Sequence, residues 1–431
     1  MMANAELKPR RRLAVTLLLL LSIAVTSLVL SNSLWISIDM VTGSSFPADV
    51  VADEIYGNES NVTELMPANE SVVIDNLPIK ESVVADALPA NESVTESSSN
   101  NEQKHCALLF FGLPRAFESL TLPSLRKNVL PYNKDCHIYV HFYQKEREAA
   151  GRSGRGGDIH SDEIYQLKQY VEKVHFLEES EAQFLKKRGD MLRKIRTTTD
   201  DNGNLLYMPW KEKSFGKDSA TNIIKMWHSI ESVWNLAEEH AQKEGIRYET
   251  IAVLRSDVFF LTPVRLKEFA TSDTVVVPGF AKFPVNDRMI YGPYEGVKIW
   301  AAERFSRVDE HVRTNEEGYG IHDERLLNRT IFPAIREALQ NDKAIVEHPT
   351  MCFLRARVDE SVWLNDCDRS VLPSVTKAIG DLNDIAVSVE TALGRSCEGP
   401  PKEYNKQVTY LNCPRPSIQD KVTPTNSSLD H

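Results

Sequence analysis

The stretch Tyr248 to Pro263, YETIAVLRSDVFFLTP, constrains the fold more than any other. Ile251, Ala252, Val253 and Leu254 are apolar at consecutive positions. A strand of that kind buries both faces and requires covering layers on both sides of a sheet. The run ends in Arg255-Ser256-Asp257, and a second apolar run, Val258 to Leu261, follows. Charged residues at the carboxyl end of a buried strand sit at the edge where open α/β sheets bind ligands.

Other segments supply the rest of such a sheet. Cys106 to Phe111 (CALLFF) is another continuous apolar run, closed by the turn Gly112-Leu113-Pro114-Arg115. Cys136 to Phe142 (CHIYVHF) reads as a second strand, and a short helix from Leu122 to Val129 lies between them. Strand, crossover and strand at this spacing form a βαβ unit. Ser219 to Glu244 is the clearest helix. Ile223, Trp227, Ile230, Trp234, Ala237 and Ala241 recur at spacings of three and four and form one apolar stripe, with Gly245 placed to close the end. Its tryptophans read as core. Val174 to Leu177, Val275 to Val277, Ala344 to Glu347 and Met351 to Arg357 are further strand candidates, and helices are expected from Tyr294 to Phe305 and from Ile321. Gln144 to Asp162, rich in Gly and Arg, reads as a surface insertion, with a phosphate cradle as its functional alternative. Beyond residue 370 the pattern weakens, and 371–431 reads as a C-terminal extension.

Charge distribution separates the folded part from the rest. Of the net charge of −11, residues 39–104 account for −11 and the first twelve residues for +3, which leaves −3 for 105–431. That near balance excludes an electrostatic nucleic-acid binder. Residues 1–12 hold Lys8, Arg10, Arg11 and Arg12, whereas 13–38 are free of charge. A run of that length spans a hydrocarbon core, and the basic flank keeps the amino terminus cytoplasmic. The alternative is a cleaved signal peptide ending near Ser31-Asn32-Ser33, for which the run is long. Both readings send the remainder into the secretory lumen. Residues 39–104 carry many acids, regular prolines and few aromatics, as in a disordered stem. Asn58, Asn61, Asn69, Asn91, Asn328 and Asn426 stand in N-x-S/T acceptor sequences for glycosylation. The six cysteines are even in number, which suits an oxidising compartment. Sequence proximity favours Cys352–Cys367 and Cys397–Cys413, leaving Cys106 with Cys136.

Gly112-Leu113-Pro114-Arg115, Lys225-Met226-Trp227, Val253-Leu254-Arg255-Ser256-Asp257 and Asn286-Asp287-Arg288 with Tyr291-Gly292 occur in an order that resembles the GT-A glycosyltransferases. The likeness runs from about Cys106 to Arg357. It is narrower for single-pass type II membrane families with an opening Gly-x-x-Arg turn and a strand ending in Arg-x-Asp. The resemblance implies an α/β fold, a Rossmann-like mixed sheet with flanking helices over residues 105–370, preceded by one transmembrane helix and the stem. It implies transfer of a hexosyl or pentosyl group from a nucleotide sugar to a glycan or glycoprotein acceptor in the Golgi or endoplasmic reticulum. Gly112, Arg115, Arg255 and Asp287 would then contact the donor. Asp257 would hold a divalent Mn2+ or Mg2+ ion on its diphosphate.

The family's usual metal motif is Asp-x-Asp, and Arg255 stands here in place of the first carboxylate. A guanidinium there can itself neutralise phosphate. The plain structural alternative is an Arg255–Asp257 ion pair. Asp323 and Glu324 are candidates for the general base that takes the acceptor proton, although acids are also favoured in a helix's first turn. His322 beside them ranks lower. A luminal sulfotransferase and a non-catalytic lectin-like or scaffold protein on the same fold are the competing functions. The loop after the first strand lacks the Ser/Thr and Gly residues with which a sulfotransferase would wrap phosphate.

Overall fold

The computed structural model describes residues 105–150, 155–211, 215–314, 318–367, 380, 382–398 and 410–415. The expected anchor, stem and luminal sequons at Asn58, Asn61, Asn69 and Asn91, and the sequon at Asn426, lie outside these residues. Among the described residues no helix is long and apolar enough to cross a membrane.

The chain from His105 builds a mixed, mostly parallel sheet with helices on both faces. In chain order its elements are β1 (His105–Gly112), α1 (Leu122–Asn128), β2 (His137–Tyr143), β3 (Val174–Glu179), α2 (Glu181–Thr197), α3 (Lys217–Glu244), β4 (Tyr248–Arg255), β5 (Val258–Phe260), β6 (Val275–Pro278), β7 (Ile290–Pro293), α4 (Tyr294–Ala302), α5 (Arg304–Thr314), α6 (Asp323–Leu326), α7 (Phe332–Ala338), β8 (Ile345–His348), β9 (Phe353–Arg355), β10 (Ser361–Trp363), α8 (Leu382–Leu393) and β11 (Tyr410–Asn412). Among the described residues the central sheet has seven strands, in the order β8-β6-β7-β4-β1-β2-β3. β4, β1, β2 and β3 run parallel, as do β6 and β8. β7 opposes its neighbours β4 and β6.

Alternation along the two central strands explains the two layers. Ala107, Leu109, Phe111, Ile251 and Val253 face one apolar core with the α3 stripe and α4. Leu108, Phe110, Ala252 and Leu254 face a second core with α1, β5 and β9. All these strand residues are essentially inaccessible to water. The apolar stripe of α3 is buried along its whole length, and Gly245 ends the helix with φ 66°, the left-handed conformation that a glycine adopts without steric cost. Residue 292 must also be glycine: a β-carbon there would lie 2.9 Å from Val275 Cα, where β7 crosses β6.

The structure departs from the sequence pattern at the carboxyl end. The described part of 371–431 is packed rather than appended. Leu382, Ile385, Val389, Leu411 and Cys413 join the second core, and β11 pairs with β10. Their short apolar runs lack the length that made the earlier strands legible. The helix expected from Ile321 is not uniform: α6 ends at Leu326, a wider helical turn follows over Leu327–Ile331, and Pro333 stands in the first turn of α7, where no intrahelical donor is needed. Asn328 sits half-buried in the helical turn leading into α7. The three disulfides are Cys106–Cys136, Cys352–Cys367 and Cys397–Cys413.

Candidate active site

The carboxyl ends of β1 and β4 meet at one hydrogen-bonded junction. Ser256, fully buried, donates both its backbone N–H and its hydroxyl to the Phe111 carbonyl, each at 3.0 Å. That tie sets Gly112 against Arg255 and Asp257. Beyond it the chain turns, and Arg115 N–H closes on the Leu113 carbonyl at 2.8 Å.

Asp257 lies beneath the surface, 2 % exposed. Its Oδ1 accepts from Arg255 Nε at 2.7 Å, and its Oδ2 accepts from Arg255 Nη2 at 2.8 Å and from Arg115 Nη1. Burial alone would raise the carboxyl pKa, but Arg255 and Arg115, with Arg357 adding to their field, hold it well below the usual carboxylate range. Arg115 turns its remaining donors to Glu148, giving Nε to Oε2 at 2.6 Å and Nη2 to Oε1. Asp257 and Glu148 thus fix two guanidiniums at the sheet edge.

This geometry tests the expected divalent ion. A cation site needs carboxylate oxygens free to face it. Both oxygens of Asp257 are already engaged by permanently charged guanidiniums, so the donor set at Asp257 does not fit a metal. The Arg255–Asp257 pair expected as the structural alternative is present.

A cleft of about 550 Å3 opens above the two arginines. Gly112, Arg115, Arg255 and Asp287 all line it, together with Tyr143, Lys145, Lys225 and Met226. The volume lies within the range for small-molecule sites, roughly 300–1,000 Å3. Asp287 reaches it from the turn before β7. Its neighbour Asn286 shapes that turn by accepting the Arg288 N–H at 2.9 Å and donating to the Phe280 carbonyl at 2.8 Å.

Asp323 and Glu324 do not line this cleft, but they share an electrostatic environment with Asp287. Asp323 Oδ1 accepts from Trp227 Nε1 and lies 3.4 Å from Arg304 Nε. Its Oδ2 is buried without a hydrogen-bond partner. Burial, opposed by Arg304 and reinforced by Asp287, raises its carboxyl pKa. Glu324, 3.4 Å from His322 Nδ1, is raised by burial, then by Asp287 and Asp323. The two acids therefore favour their protonated forms far more than exposed carboxyls do.

Two participants, Glu148 and Arg304, carry no sequence signal of their own, and a third, Trp227, has a contact that its signal does not show. Glu148 belongs to the Gly-rich insertion and supplies an anion rather than a phosphate cradle. Trp227 is core, as its periodicity indicates, yet its N–H also meets Asp323. Arg304, 1 % exposed, follows a helix end and carries no motif. Glu148 is 33 positions from Arg115 and Trp227 is 96 from Asp323, while Arg304 meets Asp323 from a different helix, so no local pattern announces them.

No family model matches the chain, and no curated protein matches it in sequence. Weak likenesses exist among solved structures. Mouse xyloside xylosyltransferase 1 in its apo form is 10 % identical, with 58 % of this chain and 88 % of that one covered at a TM-score of 0.28. A transferase carrying two cysteine-to-serine substitutions is 10 % identical over 58 % of this chain and 93 % of its own, at a TM-score of 0.26. Another transferase structure is 9 % identical over 59 % and 93 %, at 0.25. Likenesses of this strength carry no argument about function, and the cleft has to be understood from its own residues.

Proposed function

We propose that the chain is a glycosyltransferase of GT-A type that moves a sugar from a nucleotide-sugar donor to a glycan or glycoprotein acceptor. The observation that carries this reading is the cleft at the ends of β1 and β4, where Arg115 and Arg255 are held side by side over a buried Asp257. Two immobilised guanidiniums, with Lys145 and Lys225 on the same walls, match the negative charge and paired oxygens of a diphosphate. A leaving diphosphate needs that neutralisation as its bond to the sugar breaks. The arginines provide it here, and no step is assigned to a metal at Asp257.

Asp287 is placed to accept hydrogen bonds from sugar hydroxyls. Asp323 or Glu324, both outside the cleft lining, takes the acceptor proton from its ionised fraction. Burial and Asp287 reduce that fraction in both, and a general base works best when its pKa stands near the working pH rather than above it. The charge-free run at 13–38 and the sequons of the following segment support placing the reaction in the Golgi lumen, on a single-pass type II anchor.

The test is a panel of nucleotide sugars offered to the purified full chain in detergent, with and without manganese, with hydrolysis and transfer both measured. Turnover of one donor that fails in Arg255→Gln supports the reading. Absence of binding to every nucleotide sugar, with binding of 3′-phosphoadenosine 5′-phosphosulfate instead, overturns it in favour of sulfotransfer. Binding of a glycan without turnover of any donor overturns it in favour of a lectin-like role.

A further inference from the structure

Behind the cleft, three side chains from three elements converge away from solvent. His141 lies near the end of β2, Glu179 ends β3, and His228 stands in the middle of α3. They are 0 %, 2 % and 3 % exposed. One ligand atom from each lies within 4.8 Å of the others. Glu179 Oε2 is 3.2 Å from His141 Nε2 and 2.8 Å from His228 Nε2. In a tetrahedral zinc site, bond lengths of 2.0–2.1 Å separate neighbouring ligand atoms by about 3.3 Å. We infer that His141, Glu179 and His228 form a site for one zinc ion.

The surrounding contacts suit that occupant. Lys187 Nζ lies 2.8 Å from Glu179 Oε1, which anchors the carboxylate and leaves Oε2 aimed between the two imidazoles. His141 Nδ1 is 2.7 Å from Ser229 Oγ. A zinc-bound His141 must donate from Nδ1, and Ser229 Oγ can accept that hydrogen bond while its hydroxyl donates to the His141 carbonyl, 3.5 Å away. Ser232 Oγ, 3.4 Å from His228 Nε2, borders the fourth position. Two imidazoles and one carboxylate select zinc over magnesium or calcium, which prefer oxygen alone.

One contact sets the competition. Arg188 Nε donates to His228 Nδ1 at 3.1 Å. With Nδ1 accepting, Nε2 carries the proton and points it at Glu179, which is the metal-free state. Zinc binding moves that proton to Nδ1 and turns Arg188 aside. The ion would join β2, β3 and α3 one hydrogen bond from the cleft, because Ser229 Oγ also accepts the Gly112 N–H at 2.9 Å.

The site is independent of the proposed reaction and is tested without it. The full chain is stripped with chelator, equilibrated with zinc at about 10 µM, and assayed for bound metal and melting temperature. The cysteines do not confound the assay, since none is free. Stoichiometric zinc and a higher melting temperature than in chelator are expected. Glu179→Gln and His228→Asn weaken binding about 100-fold or more. Arg188→Gln tightens it, because the amide oxygen accepts the Nδ1–H that the guanidinium opposes. A wild-type chain that neither retains zinc nor gains thermal stability from it overturns the inference, as does undiminished zinc in the His141→Asn/His228→Asn double variant. If a ligand variant fails to fold, wild-type stoichiometry and the Arg188→Gln affinity still decide the matter.

Discussion

Asp257 was legible in the sequence as a functional position, and the structure changes what it does. A carboxylate at the end of a buried strand suggests a ligand, but its partners were not readable. Arg115 is 142 positions away, and sequence cannot say which of two arginines will claim which oxygen. Asp257→Asn should remove donor binding and also cost about 3 kcal/mol of stability, because two partly buried guanidiniums lose their shared anion. Urea unfolding checks this, and an unchanged midpoint would refute the clamp. The carboxyl pKa is depressed, so the stabilisation is present above the ordinary value of 3.8 and fades as pH falls below it. The wild-type advantage over Asp257→Asn should shrink in that acidic range. Glu324 has the opposite sign. Its stability contribution is complete below the ordinary value of 4.5 and is lost as pH rises toward about 9. Glu324→Gln should therefore melt like wild type near the lower value, and gain about 1–2 kcal/mol over it at mildly alkaline pH while losing transfer. Melting curves across that range that stay parallel would mean Glu324 is not strained by its surroundings.

Strands were the most legible elements, because a segment covered on both faces is written in unbroken apolar residues. CALLFF and IAVL became β1 and β4, adjacent and parallel in the sheet. α3 was equally clear, its stripe set by helical periodicity. Elements defined by single close approaches were not. β7 is only four residues long, and its place between β4 and β6 depends on Gly292 lying against Val275. Gly292→Ala should destabilise the domain by about 2 kcal/mol or more, since backbone rather than a flexible side chain must yield. Equilibrium denaturation measures this, and a tolerated alanine would show that β7 can shift outward without penalty. The Asn286–Asp287 turn feeds directly into β7, so donor binding should weaken together with stability.

At the scale of the whole molecule, the late segments hold more of the structure than their sequence suggests. β11 and the Cys397–Cys413 bridge bring residue 411 into the core. Arg415 pairs there with Glu163 at 2.6 Å and also with Glu118 and Glu360. Deleting residues 410–431 should lower stability by about 3 kcal/mol, combining a lost disulfide with lost apolar burial. A truncated chain that melts at the wild-type temperature would show the tail to be dispensable. Short apolar runs around cysteines give no periodicity to read, so the sequence does not announce this packing. The pairing of Arg115 with Glu148 has a different kind of consequence. On the proposed function, the free protein already carries an internal anion where the donor's phosphate would bind. Ligand entry is then an exchange of one anion for another, and its net gain is smaller than the arginine's full capacity. Glu148→Gln should tighten binding of a nucleoside diphosphate several-fold, measured by calorimetry, and unchanged affinity would mean that the carboxylate never leaves. On that reading Glu148 is a resident competitor, and it would set how readily the cleft releases what it has bound.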